Sequence, residues 1–263
     1  MAFGSREQHM EIFTGVGVAL VSLFDRSGRV DLAATADLAA DLAGQGMRGI
    51  LVCGTTGEAG MLVDGERRAI ISAIRAAVPA DVPVLAGTGA PTAARAAQLT
   101  AEAVDCGADA VLGWPPPGSA DLGGYFSRID AAAQGRPVLA YHVPWVSSPG
   151  IPVGALGGLP VSGLKDSSGD PDRLLAEVTG YPGAIYTGSS ALVMTAGLLG
   201  AAGAILAAAN VEPGLCSQAW AGDPAAQRGL ATVHAAVRSG GPAAVKRLLA
   251  ERRGTHPLSR VGN

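Results

Sequence analysis

At 263 residues, 48% hydrophobic and only 16% charged, the chain can bury one large core without staples and is too apolar to be disordered. A net charge of −3 with no basic block argues against nucleic acid. No run of about 18 apolar residues reaches membrane-spanning hydropathy, residues 196–209 coming nearest.

Residues 1–10 are polar, and Gly4-Ser5 and His9-Met10 read as a flexible arm or tag remnant. From there short apolar runs alternate with Ala-rich helical stretches. Strands are predicted at 16–24, 49–52, 82–86, 110–112, 138–141, 161–165, 184–187 and 203–207. Helices are predicted at 32–43 behind Asp31, after Asp64 with Ile70, Ile71, Ile74 and Val78 in register, at 92–106, 122–133, 153–159, after Asp170-Pro171, and at 191–199. Asp223-Pro224 and Gly241-Pro242 open two more. Eight strands too short and apolar to face water, each followed by a helix, predict an α/β fold, a closed (β/α)8 TIM barrel over 11–222 with a C-terminal helical extension over 223–263 packed on it.

Three distant cysteines, Cys53, Cys106 and Cys216, suit a reducing cytoplasm better than a disulfide framework. They form no Cys/His cluster with the four scattered histidines, so no metal site is expected.

A barrel collects its chemistry where strands end. Strand two runs into Gly54-Thr55-Thr56-Gly57-Glu58, strand three into Gly87-Thr88-Gly89, and strand five ends on Tyr141. Strand six ends on Lys165, and strand seven runs into Gly188-Ser189-Ser190. Of the 19 Lys and Arg residues only Lys165 and Lys246 are lysines. Arginine does not release its proton near neutral pH, whereas a lysine in an apolar pocket can, and then attacks a carbonyl. Lys246, beside Arg247, is read as a solvated helix residue. Lys165 closes an apolar strand, and Asp166 next to it points to the opposite face, so the two pair poorly. The Thr55-Thr56 turn offers hydroxyls and amides for a small carboxylate. Glu58 is read as a structural carboxylate capping local N–H groups, and His142 as structural. Tyr141 can relay a proton.

Gly-Thr-Thr-Gly-Glu, Tyr-x-x-Pro and Gly-x-Lys-Asp in this order, with Ala86-Gly87-Thr88-Gly89 and Gly203-Ala204-Ile205 before Asn210, resemble the dihydrodipicolinate synthase / N-acetylneuraminate lyase family. The resemblance implies a TIM barrel with added C-terminal helices, often a homo-oligomer. Lys165 would form a Schiff base with pyruvate, Tyr141 would be the proton relay, and Thr55 and Thr56 would bind the pyruvate carboxylate. Gly188 and Ile205 would line the pyruvate pocket, and Ser167 would face the second substrate.

The second-substrate half departs from the pattern. Val146, beside Trp145, stands where the lysine-pathway synthases carry the arginine that binds the aldehyde's carboxylate. Trp114-Pro115-Pro116-Pro117-Gly118 replaces their Pro-Tyr-Tyr-Asn-like loop, and Ser189, Ser190 and Ala191 replace the acidic residues of neuraminate lyases. The expectation is a class I pyruvate aldolase or lyase with no metal or organic cofactor, joining or cleaving pyruvate and an aldehyde other than the lysine-pathway one. Aldehydes bearing a carboxylate would be disfavoured by Val146. The alternatives are 4-hydroxy-tetrahydrodipicolinate synthase itself, a 2-keto-3-deoxy sugar acid aldolase or dehydratase, and a non-catalytic 2-oxo acid binder.

Overall fold

The computed structural model describes residues 11–261; the polar arm expected at 1–10 lies outside them. Eight strands close a parallel barrel in chain order: β1 (Gly15–Ala19), β2 (Ile50–Val52), β3 (Val84–Gly87), β4 (Ala110–Gly113), β5 (Val138–His142), β6 (Gly163–Asp166), β7 (Ala184–Thr187) and β8 (Gly203–Leu206), with β8 returning to β1. The helices are α1 (Leu32–Gly44), α2 (Asp64–Ala77), α3 (Ala93–Asp105), α4 (Leu122–Ala132), α5 (Pro171–Gly180), α6 (Val193–Leu198), α7 (Pro213–Trp220), α8 (Pro224–Gly229) and α9 (Ala231–Arg253). No helix among the described residues is long and apolar enough to cross a membrane.

Strand alternation builds two cores. Leu51, Leu85, Leu139 and Tyr141 point into the lumen, while Ile50, Val52, Val84, Ala86, Val138 and Ala140 face the helices. The floor is sealed by Phe13, whose ring lies 4.9 Å from that of Tyr186 and whose carbonyl accepts from the Tyr186 hydroxyl at 2.8 Å. Gly17 and Gly49 admit that ring, since a Cβ at either would stand 2.8 Å or less from it.

Several elements differ from expectation for identifiable reasons. β1 stops at Ala19 instead of running to residue 24, because the next amides find side-chain acceptors: Val21 donates to Asn210 Oδ1 and Leu23 to Thr35 Oγ1. Asp64 is the first residue of α2 rather than its cap. Glu66 reaches back to accept from Val63 N, and Asp64 pairs with Arg95. The short helical segment expected after β5 is a 3₁₀ turn, Val153–Gly158, whose three glycines disfavour an α-helix. α7 was not anticipated, although Pro213 at its first turn is the same signal as Pro224 in α8. Gly241 is non-helical (φ 50°, ψ −140°) and divides α9 into two helical segments, so Gly241-Pro242 opens the second of them as expected.

The solvated-face reading of Lys246 is overturned. Its side chain is fully buried, with Nζ 2.5 Å from Glu58 Oε1, 3.8 Å above the Phe24 ring and 3.0 Å from the Leu258 carbonyl. Glu58 also accepts from Ser259 Oγ and from the amides of Arg260 and Val261, so this carboxylate ties the β2 loop to the end of the chain. Desolvation forces such a pairing: a buried ammonium without a carboxylate would cost several kcal/mol.

Candidate active site

The strand-end residues singled out in the sequence meet in one cavity of about 480 Å³, lined by Thr55, Thr56, Tyr141, Lys165, Ser167, Gly188 and Ile205 among others. Register explains the convergence. Tyr141 pairs with Lys165 across β5 and β6, so the two side chains enter the lumen side by side, while Tyr186 on β7 turns toward Phe13 at the floor. Lys165 Nζ lies 4.7 Å from the centre of the Tyr141 ring.

Lys165 is 4% exposed, and burial lowers its pKa to about 7. The adjacent Asp166 faces the helices, as strand alternation requires. It accepts from Ser168 N and Oγ, both at 2.8 Å, and lies 3.7 Å from Arg173 Nε. Gly188 is explained by the same lysine: a Cβ there would stand 2.0 Å from Ser167 Oγ and 3.1 Å from Lys165 Cε.

Tyr141 is buried, which pushes its phenol pKa up; hydrogen bonds with Ser167 and Thr55 oppose the rise. Ser167 Oγ donates to the Tyr141 hydroxyl at 3.2 Å. Thr55, Tyr141 and Ser167 thus form a hydroxyl chain beside the amine, suited to moving a proton. The turn that carries Thr55 is held by Glu58 N to Thr55 O (3.1 Å) and Ala59 N to Gly54 O (3.2 Å). The Thr55 and Thr56 amides donate to no acceptor among the described residues, which leaves two N–H groups for an anion.

His142, read as structural, behaves so, and Arg173 is occupied elsewhere. His142 Nδ1 accepts from Ile151 N at 3.0 Å, and burial lowers its pKa to about 4, keeping it a neutral acceptor. Arg173 is engaged by Glu177 at 2.7 Å and donates to Ile151 O, so it does not reach the cavity.

Val146 is the site residue the fold sets apart. It lines a neighbouring cavity of about 570 Å³ with Arg67, Trp114 and Val261, separated from the lysine chamber by Thr55 and Tyr141, which border both. Trp145 takes the place at the lysine cavity, 57% exposed.

The far wall comes from α9, which the sequence did not single out. His234, Val237, Arg238, Gly241 and Pro242 all line the lysine cavity. α9 is held there by the turns after β7 and β8. Ser190 Oγ lies 2.9 Å from His234 Nδ1, and Gln227 Nε2 donates to Ser190 O at 2.9 Å. Arg238 thereby brings a second cation to the mouth beside Lys165.

Comparison with known proteins agrees with this geometry. The model of the dihydrodipicolinate synthetase family matches residues 12–235. The 4-hydroxy-tetrahydrodipicolinate synthase of Synechococcus sp. (strain CC9605) is 36% identical over 209 residues, 76% of this chain and 69% of that protein. A DapA-like lyase of Halobacterium salinarum is 33% identical over 211 residues, again 76% of this chain and 69% of the relative. Among solved structures, the chloride-inhibited dihydrodipicolinate synthase from Acinetobacter baumannii complexed with pyruvate is similar at a TM-score of 0.86 and 28% identity, covering 95% of this chain and 94% of that one. The chain belongs to the dihydrodipicolinate synthetase family of class I aldolases and lyases.

Proposed function

We propose that the protein makes or cleaves a C–C bond between pyruvate and an aldehyde through an imine on Lys165, and that the aldehyde is not aspartate semialdehyde. The observation that carries the reading is one buried lysine at a strand end, its pKa lowered to about 7, facing a cavity that also holds a tyrosine-centred hydroxyl chain and two free amides.

The pyruvate carboxylate would sit on the Thr55 and Thr56 amides and hydroxyls. The neutral Lys165 amine attacks C2 of pyruvate, and loss of water gives the protonated imine. That cation acts as an electron sink: a C3 proton leaves, the enamine attacks the aldehyde carbon, and the new alkoxide takes a proton. Tyr141, relayed through Ser167 and Thr55, is placed to carry these protons. Water then hydrolyses the imine and frees the lysine. Cleavage is the same sequence reversed.

Two features support a different second substrate from that of the lysine-pathway synthases. Val146, at the position of their arginine, lines the neighbouring cavity. Among the described residues no Asp or Glu lines the lysine cavity, so the ammonium of aspartate semialdehyde would enter beside Lys165 and Arg238 without a counter-charge. The test is pyruvate with borohydride followed by peptide mass spectrometry: the label belongs on Lys165 and not on Lys246. A protein that turns over with Lys165 unlabelled sinks the mechanism. A kcat/KM with aspartate semialdehyde of about 10⁴ M⁻¹s⁻¹ or higher, an ordinary enzyme value, would restore the synthase reading.

A further inference from the structure

We infer that α9 forms the specificity wall for the second substrate, with Arg238 gripping an anionic group, carboxylate or phosphate, at the far end of an aldehyde that carries no cation. This rests on the pyruvate-aldolase reading above and names the substrate class for the same site.

Three observations carry it. First, the lining of the lysine cavity is lopsided in charge: among the described residues it has two basic side chains, Lys165 and Arg238, and no carboxylate. Lys165 becomes part of the imine, and the pyruvate carboxylate has the Thr55-Thr56 turn. Arg238 is then the one remaining cation for a second anion.

Second, Arg238 is exposed at the mouth beside Trp145 and left chemically unspent. Its guanidinium lies 5.5 Å from the centre of the Trp145 ring, and no acid pairs with it among the described residues. A cation–π contact with an indole does not consume the N–H donors of a guanidinium, which remain free to meet two oxygens of one anion.

Third, the residue one turn earlier on the same helix face is polar and also turned into the cavity. His234 stands four residues before Arg238, the spacing that puts two side chains on one face. Burial and the Arg238 cation both lower its pKa, so it is neutral at pH 7. Its ring is oriented by Ser190 Oγ at 2.9 Å. A neutral imidazole beside Ser189 and Ser190, which also line the cavity, suits a hydroxyl of the aldehyde. The kink at Gly241-Pro242 brings the helix end itself into the lining, which closes the wall.

The class that fits is a short, hydroxylated aldehyde ending in an anion. Val146 does not exclude such a molecule, because its anion would be bound from the α9 side of the mouth rather than from the β5 loop.

The test compares matched aldehyde pairs at saturating pyruvate: glyceraldehyde against glyceraldehyde 3-phosphate, and butanal against succinic semialdehyde. At least one anionic member is expected to exceed its neutral partner in kcat/KM by roughly 10- to 100-fold, the worth of a hydrogen-bonded charge. The pair that shows it tells phosphate from carboxylate. Arg238→Gln should collapse that ratio toward one, mostly through KM, and Arg238→Lys should keep part of it. Equal values within both pairs, or a ratio that survives Arg238→Gln, overturns the inference. So does a protein that traps pyruvate on Lys165 yet turns over none of the four aldehydes. Failure to trap pyruvate at all strikes the aldolase reading instead.

Discussion

The two lysines of this chain are both buried, and both have their pKa lowered by that burial, yet they sit in opposite environments. Lys246 has Glu58 at 2.5 Å, a carbonyl at 3.0 Å and the Phe24 ring beneath it. Lys165 has a ring, a serine-tyrosine pair and a cavity, and no carboxylate shifts it. The difference shows that burial alone does not make a nucleophile. A buried ammonium given a carboxylate stays charged and serves as a strut; one denied a partner gives up its proton. Sequence position makes the same distinction in outline, since one ends a barrel strand and the other lies inside a helix.

The largest effect should come from Lys165→Arg. The charge is retained, but guanidinium forms no stable imine at neutral pH, so pyruvate labelling and turnover should both vanish while the fold survives. Retained turnover would mean that the unpaired lysine is not the reacting group. The mirror experiment is Lys246→Met. It should leave labelling of Lys165 in place at low temperature, but strand Glu58 as an uncompensated buried charge and lower stability by about 3–5 kcal/mol. Denaturant unfolding measures this. Adding Glu58→Gln should recover part of the loss, and a null effect of Lys246→Met would remove the strut from the comparison.

How far this contrast was legible in the sequence follows from what each residue depends on. Lys165, Tyr141 and the Thr55-Thr56 turn were readable because a parallel barrel sends strand ends to one mouth, and strand ends are marked locally by apolar runs breaking into Gly, Ser and Thr. Gly188 fits the same logic, its missing side chain making room for Lys165 Cε. Lys246 was misread because Val245 and Leu249 form the obvious buried stripe of the helix and Arg247 is exposed; only the return of the chain end over Glu58 closes the space around it. Arg238 and His234 escaped for a related reason. Their four-residue spacing is visible, but nothing local says that this helix folds back across β7 and β8. The same local view placed Val146 at the mouth, whereas the loop after β5 turns its Trp145 there instead.

A smaller effect is expected at the tyrosine that separates the two cavities. Tyr141→Phe keeps the ring 4.7 Å from the amine but removes the hydroxyl that Ser167 and Thr55 contact. Pyruvate labelling should persist and turnover fall about 10²-fold or more, the usual cost of losing a positioned proton-transfer group. Single-turnover kinetics separate the two steps. Unchanged turnover would assign the proton to water or to a neighbouring hydroxyl.

The smallest effect, and the finest test of the contrast, is in pH. With its pKa lowered to about 7, Lys165 is neutral above that value and protonated below it. The rate of pyruvate labelling with cyanoborohydride should therefore fall about tenfold per unit below pH 7 and level off above it. An ordinary lysine would keep gaining up to about pH 10, and such a profile would contradict the unpaired burial. Stability carries the opposite face of the same shift. The folded pKa lies below the unfolded one, so the unfolded chain binds the extra proton between about pH 7 and pH 10.4. The folded state is penalised in full below that window and relieved as pH rises through it. Lys165→Met should accordingly be more stable than the unsubstituted protein at pH 6 to 7, roughly the lower edge of the window, with the gap closing toward its upper edge. Thermal unfolding of the pair across that range reads it directly, and a gap that does not narrow would place the lowered pKa elsewhere than on Lys165.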